Sequence, residues 1–352
     1  MDVIEILQLA NKRQGSDILV VPGARVSMKV AGKVTPITEE ILTPDGAKTL
    51  VEQAYALCRA RSMERVLADG DDDFSFSLNG VGRFRCNAYL QRNSLAMVLR
   101  VLSFETPDVE KLHIPEEVLR LARVRKGLVL ITGPAGSGKS TTLACLIDRI
   151  NRTCSDHIIT IENPIEFVHP HQKSIVSQRE VELDTKSYAT ALRAALRQAP
   201  DVIQVGEMRD LETISTALTA AETGQLVLST LHTIGAAKTI DRIIDVFPAS
   251  QQQQIRVQLS MVLRAVVSQQ LLPGEAGELV PAFEIMLVNG AIQNMIRESK
   301  TYQMETVIYA GAEQGMRTMD EDILRLYRAG SIGRETALIY AASPEAMAKK
   351  LG

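Results

Sequence analysis

Residues 133–141 read Gly133-Pro134-Ala135-Gly136-Ser137-Gly138-Lys139-Ser140-Thr141, between an apolar strand-like run, Gly127 to Thr132, and a helix-forming run, Thr141 to Ile150. Glycines at 133, 136 and 138 let a backbone wrap an anion, so that its N–H groups point at the α- and β-phosphates of a nucleotide. The helix that follows presents its positive end to the same phosphates. Lys139 would reach the β- and γ-phosphates, and the Ser140 hydroxyl would ligate a magnesium ion held between them. The whole stretch from Gly133 to Thr141 is therefore the candidate nucleotide cradle, with ATP and Mg2+ as its expected occupants.

Working outward, a chain of 352 residues leaves room for about two domains of roughly 150 residues. Hydrophobic residues make up 45%, ample for a buried core. The 39 basic and 42 acidic residues nearly balance, so composition does not favour nucleic acid or an anionic membrane as partner. Cys58, Cys86, Cys145 and Cys154 are scattered with no Cys-x-x-Cys pair. They read as small buried hydrophobes, not as a zinc site or a disulfide framework. Met1 to Ala10 carries Asp2 and Glu5 and lacks a basic leader, and no apolar run approaches the ~18 residues needed to span a bilayer. A soluble cytoplasmic protein is expected.

The chain divides near residue 110. Ser16 to Pro36 alternates apolar and polar residues, with Gly23 and Gly32 as turns, which predicts a short antiparallel sheet. A helical stretch from Ala47 to Ala68, an acidic turn from Asp69 to Asp73, and strands Phe74 to Leu78 and Arg83 to Leu90 follow. Residues 1–106 thus form an N-terminal α+β domain. Pro107 to Pro115 is polar, is broken by two prolines, and reads as a linker. Residues 116–352 form the C-terminal domain, in which strands and helices alternate as in a parallel sheet covered on both faces.

Four candidate strands there, Gly127 to Thr132, His157 to Glu162, Asp201 to Glu207 and Gln225 to His232, each end in polar chemistry. Ligands of open α/β sheets bind at that carboxyl edge. The first runs into the phosphate loop, the second into Glu162-Asn163-Pro164-Ile165-Glu166, the third into Gly206-Glu207-Met208-Arg209-Asp210, and the fourth into Thr230-Leu231-His232-Thr233. Splitting ATP requires charge neutralisation around the γ-phosphate and a water held in line with the leaving oxygen. Glu207, closing an apolar strand, sits where an acid would bind magnesium directly or through its water. Glu162 and Glu166 compete to position or deprotonate the attacking water, and His232 could sense the γ-phosphate, since a neutral imidazole both donates and accepts.

Taken together, Gly206 to Asp210, Ala220-Ala221-Glu222-Thr223-Gly224, Thr230 to Thr233 and Ala236-Ala237-Lys238-Thr239-Ile240-Asp241-Arg242 resemble the PilT family, hexameric motor ATPases of type IV pilus retraction within the secretion ATPase superfamily. The resemblance covers nearly the whole chain and is densest from Gly127 to Gln270. It implies an α/β fold, a RecA-like P-loop ATPase domain with a smaller N-terminal α+β (PAS-like) domain, and ATP hydrolysis that drives twitching motility. It matches Glu166 to the family's catalytic glutamate, Glu207 to its Walker B acid and His232 to the second histidine of its His box. Glu166 is thereby preferred over Glu162. It further implies a homohexamer at the cytoplasmic face of the inner membrane, peripheral through a pilus platform protein and without nucleic acid. In such rings the N-terminal domain of one subunit covers the nucleotide of the next and supplies arginines. Arg83 and Arg85 flank Phe84 on a strand and so share a face, and Arg100 ends another apolar stretch; these three are the candidates. Closure between neighbours would hinge on the linker.

The chain departs from the family at Asn163, where an aspartate is usual, and at Gln225, which replaces the first His-box histidine. Gln251 to Gln270 reads as one helix, with Ile255, Leu259, Val262, Leu263 and Val266 at spacings of three and four. Ala291 to Glu298 is a short amphipathic helix resembling the family's retraction-associated motif, with departures at Gln293 and Met295. Met319 to Ala348 is predicted helical around the turn Gly330 to Gly333. Two other readings share the loop: an assembly or secretion motor, usually longer at its N-terminus and carrying a four-cysteine zinc site, and a nucleotide-binding regulator with little turnover. A strand-separating nucleic-acid ATPase should show a basic stripe or stacking aromatics, against no tryptophan and 4% aromatics here.

Overall fold

A computed structural model describes residues 1–30, 32–58, 61–102 and 109–352. It separates into two compact units: Met1–Thr106 with Asn163–Val168 and Glu180–Lys186, and Pro107–Glu162 with His169–Arg179 and Ser187–Gly352.

The first unit opens with α1 (Val3–Lys12), begun by a capping box in which Asp2 and Glu5 exchange side-chain and backbone hydrogen bonds and thereby satisfy two otherwise orphaned N–H groups. Strands β1 (Asp17–Val20), β2 (Arg25–Val30) and β3 (Lys33–Ile41) follow, then α2 (Pro44–Leu57) and α3 (Glu64–Asp69), then β4 (Asp71–Leu78), β5 (Gly82–Gln91) and β6 (Ser94–Leu102). The sheet is antiparallel in the order β3-β2-β1-β6-β5-β4. Its inner face and the helices enclose a core around Ile6, Leu7, Met28, Val51, Phe84 and Leu99. The expected single helix from Ala47 to Ala68 is instead two, because α2 stops at Leu57 and α3 starts only at Glu64. Nor is Asp69 to Asp73 a turn. Asp71 already begins β4, and Asp72 is buried, accepting the Tyr55 hydroxyl at 3.0 Å and lying 3.5 Å from Arg61 and 3.6 Å from Arg65. An acidic run reads as solvated; here one carboxylate is drawn inside by two guanidinium groups, as a buried charge requires. Ionising Tyr55 beside Asp72 is unfavourable as well, and burial with that carboxylate drives its pKa up.

In the second unit a 3-10 turn, Val109–Leu112, lies within the expected linker, whose Pro107 and Asp108 lie outside the described residues, and α4 (Glu116–Leu119) begins directly after it. The remaining elements are β7 (Gly127–Thr132), α5 (Lys139–Thr153), β8 (His157–Glu162), β9 (Ile175–Glu180), α6 (Tyr188–Ala195), β10 (Val202–Val205), α7 (Leu211–Glu222), β11 (Leu226–Leu231), α8 (Ala236–Asp245), α9 (Ala249–Val262), β12 (Leu263–Pro273), β13 (Leu279–Leu287), α10 (Gly290–Arg297), α11 (Met304–Ala310), α12 (Met319–Arg328), α13 (Arg334–Tyr340) and α14 (Pro344–Leu351). The sheet runs β13-β12-β7-β11-β10-β8-β9, with β12, β7, β11, β10 and β8 mutually parallel and β13 antiparallel to β12. Every residue of β7, β10 and β11 is buried, which is the signature of a parallel sheet covered on both faces.

The expected helix from Gln251 to Gln270 is a correction. Its apolar spacing holds only to Val262; α9 passes without a turn into β12, which pairs with β7 on one side and β13 on the other. The run Leu263 to Leu272, with Val266-Val267 at its centre, is buried at nearly every position, so tertiary pairing overrides the helical spacing. Of the cysteines, Cys58, Cys86 and Cys145 are buried; burial raises the Cys145 thiol to about 12. Among the described residues no helix is long and apolar enough to cross a membrane.

Candidate functional site

Residues 133–138 bridge the end of β7 and the start of α5, whose N-cap Gly138 adopts a left-handed φ of 84°. A side chain is excluded by main chain at Gly133 and strained by the positive φ at Gly138. A Cβ on Gly133 would stand 2.1 Å from the Gln269 carbonyl oxygen, and one on Gly138 would stand 2.9 Å from Gln269 Nε2. Lys139 folds over the loop, donating to the Gly133 carbonyl at 2.9 Å and the Pro134 carbonyl at 2.7 Å. Ser137 Oγ is buried with no hydrogen-bond partner among the described residues. A cradle of glycine backbone at a helix N-terminus, with a buried lysine and an unsatisfied hydroxyl, fits a bound phosphate chain. Ser140, the next residue of α5, is half-buried beside it.

Lateral hydrogen bonds tie the neighbouring strand ends to this loop. The Gly133 N–H donates to the Leu231 carbonyl at 3.3 Å, the Met208 N–H to the Thr230 carbonyl at 3.2 Å, and the Thr230 hydroxyl to the Gly206 carbonyl at 2.6 Å. Glu207 and His232, next in sequence to these anchors, consequently stand side by side at the carboxyl edge. The His232 Nε2 lies 3.5 Å from Glu207 Oε2, which also pairs with Arg209 Nε at 2.7 Å. These residues line a cavity of about 260 Å³ together with Thr233 and Arg242. Lys139, Ser140, Glu207 and His232 thus share one edge of the second unit's sheet, the Glu207 carboxylate being the only acid among the described residues that line that cavity.

The two competing glutamates differ sharply. Glu162, the last residue of β8, has Oε1 bound by the Thr160 hydroxyl at 2.5 Å and by Gln178 Nε2 at 3.2 Å; it is tied to its own sheet. Glu166 is exposed and belongs to the first unit, on the segment Asn163–Val168.

The three arginines occupy one face of the first unit's sheet, with Arg85 directly opposite Arg100 in the β5–β6 register, but their surroundings are unequal. Arg83 is nearly buried. It pairs with Glu180 and donates to Ser75 Oγ at 2.7 Å, Ser77 Oγ at 3.0 Å and the Ile165 carbonyl at 3.2 Å. Arg85 pairs with Asp73 at 3.3 Å, both side chains exposed, and Arg100, itself exposed, pairs with the mostly buried Asp17 at 3.0 Å.

Several residues with a place around the site were missed. Gln269 on β12 accepts the Thr142 hydroxyl at 2.7 Å. Its neighbour Ser268 shares a 2.6 Å hydrogen bond with Thr132 and accepts the Gly235 N–H at 2.9 Å. On β13, Glu284 accepts the Ala236 N–H at 2.7 Å, and burial raises its pKa. The sequence sign of these three was a polar residue inside an apolar run, which a helix reading of 251–270 conceals for Ser268 and Gln269. Of the two departures, Asn163 is exposed. Gln225 precedes β11 at its amino end, accepting the Thr223 hydroxyl at 2.8 Å, and six strand residues separate it from His232, roughly 20 Å. It is not part of the phosphate edge.

A glycine-rich loop opening onto the carboxyl edge of a parallel sheet places the second unit among the P-loop nucleotide-binding proteins. Its strand-end residues narrow that class. The chain belongs to the family described as Type II/IV secretion system protein, which matches residues 2–331. It is 45% identical over 345 residues to the type IV pilus retraction ATPase PilT of Pseudomonas aeruginosa, covering 98% of this chain and 99% of that one. It is 50% identical over 276 residues to a twitching motility protein of Neisseria gonorrhoeae, covering 78% and 74% of the two chains. A crystal structure of the pilus retraction motor PilT with bound ADP superposes with a TM-score of 0.92 at 45% identity, over 99% of both chains.

Proposed function

We propose that this protein is an ATP-hydrolysing motor that drives type IV pilus retraction. The observation that carries the reading is the near full-length likeness to a retraction ATPase, in a chain whose phosphate loop opens beside Glu207 and His232. In this reading residues 133–141 hold the nucleotide, and Lys139 exchanges its carbonyl partners for phosphate oxygens. Ser140 and Glu207 would hold magnesium, which supplies charge neutralisation at the phosphates. Glu166 accepts the proton of the attacking water, and His232 reports the state of the γ-phosphate through its contact with Glu207.

The resemblance extends the proposal to a homohexamer at the cytoplasmic face of the inner membrane, acting on a pilus platform protein. Residues 116–352 would form the ATPase domain and residues 1–106 the domain that closes over a neighbour's nucleotide. Arg85 and Arg100, in solvent and each held by a single carboxylate, suit a contact made in trans better than Arg83, which is committed to Glu180. A regulator with little turnover is the second reading, favoured by the neutral Asn163 next to Glu162. Magnesium-dependent ATP hydrolysis by the assembled protein, lost in Glu166→Gln, tests the motor; an assembled protein that binds ATP without splitting it would overturn it. A deletion strain scored for pilus number and retraction separates retraction from assembly.

A further inference from the structure

We propose that Gln269 is a positioning residue for nucleotide binding, clamping the phosphate loop at both ends from the neighbouring strand. The proposal rests on the reading of residues 133–141 as a nucleotide site. In the β12–β7 register Ser268 faces Thr132, which brings Gln269 level with Gly133, where β7 ends and the loop begins. Its main-chain carbonyl lies so close to Gly133 that a Cβ there would stand 2.1 Å away. Its side chain crosses to the far end. Oε1 accepts the Thr142 hydroxyl at 2.7 Å, within the first turn of α5, and Nε2 rests where a Cβ of Gly138 would be 2.9 Å away. One buried residue, 4% exposed, therefore touches the first and last glycines of the loop and the helix that follows.

The chemistry selects an amide. The Thr142 hydroxyl engages the acceptor, so the donor end turns toward Gly138 and the loop. A glutamate of the same shape would keep the Thr142 bond but set a negative charge beside the phosphate cradle. A leucine would keep the volume and lose the bond. Holding the loop in its binding shape beforehand reduces the ordering cost that a ligand otherwise bears, so Gln269 acts through the loop and not by touching phosphate.

The test uses the full chain and two readouts: hydrogen exchange of residues 133–142 without nucleotide, and affinity for a fluorescent ADP analogue with magnesium. Gln269→Leu is expected to speed exchange across the loop and weaken ADP binding, each about tenfold, the size of one lost buried hydrogen bond. Thr142→Val should reproduce it, and the double variant should be no worse than either single one, because both remove the same bond. Gln269→Glu should leave exchange near the parent's yet weaken ADP more than Gln269→Leu. A Gln269→Leu protein that melts earlier while exchange and affinity stay at parental values makes Gln269 a packing residue and overturns the proposal. A parent that binds no ADP overturns the nucleotide reading instead, and the exchange arm still decides whether Gln269 holds the loop.

Discussion

His232 presents Nε2 to Glu207 Oε2 across 3.5 Å, and the same oxygen receives Arg209 Nε at 2.7 Å. The carboxylate thus stands between an imidazole and a guanidinium at the edge where the glycine-rich loop opens. Glu207→Gln keeps the shape and removes the charge. Steady-state turnover should fall about 10²- to 10³-fold, the usual effect of losing one preorganised electrostatic group, while ADP affinity changes little. Equal losses in turnover and ADP affinity would place Glu207 in ground-state binding.

Glu162 and Glu166 can be told apart by the same measurement joined to thermal unfolding. Glu166 is exposed, so Glu166→Gln should leave the melting temperature unchanged while hydrolysis drops by about 10²-fold or more, as for a missing general base. Glu162→Gln disturbs the contacts with Thr160 and Gln178 and should show its main effect in stability. The reverse pattern would move the base to Glu162.

Among the arginines, burial decides the cost of removal. Arg83 has a side chain 12% exposed against a Glu180 side chain at 4%, and Arg83→Ala leaves that carboxylate buried without its cation. Chemical denaturation should register a loss of about 3–5 kcal/mol. Arg85→Ala breaks a solvent-exposed pair and should cost about 0–1 kcal/mol, while Arg100→Ala leaves the mostly buried Asp17 without its cation and should cost more than that but less than Arg83→Ala. If either nevertheless lowers turnover of the assembled protein, its role lies in the neighbour's site.

His169 supplies a pH test. It is buried, its Nδ1 has no hydrogen-bond partner among the described residues, and burial lowers its pKa from 6.5 to about 4, partly offset by Asp148. The unfolded chain takes up a proton near pH 6.5 whereas the folded protein resists until about pH 4, so stability is lost as pH falls through that window. Between pH 6.5 and 5 the loss should be roughly 2 kcal/mol. His169→Gln should flatten the slope there in urea titrations; an unchanged slope would assign it to other groups.

Much of the carboxyl edge of the second unit's sheet was legible because its signals are local. Gly127 to Thr132 and His157 to Glu162 became strands with the bounds their apolar runs suggested, and glycine spacing marks the loop without reference to anything distant. What escaped notice depends on partners far along the chain. Asp72 reads as a surface acid until Tyr55 and Arg61 are brought to it. Gln269 reads as one more polar residue of a helix until β12 pairs with β7, and the change from α9 to β12 at Leu263 has no glycine, proline or turn to announce it. The unequal standing of Arg83, Arg85 and Arg100 was equally invisible, since alternation along β5 gives a shared face and not the carboxylate each arginine meets.

Glu180 and Ile165 are what Arg83 holds, and both come from segments that follow the phosphate loop in sequence yet belong to the first unit. A fragment ending at Thr106 would carry a nearly buried guanidinium whose counter-charge has been left on the other piece. The first unit is therefore completed only after the chain has passed through β7, α5 and β8, and during synthesis its ionic core must wait for Glu180, 78 positions (180 − 102) after the end of its own last strand.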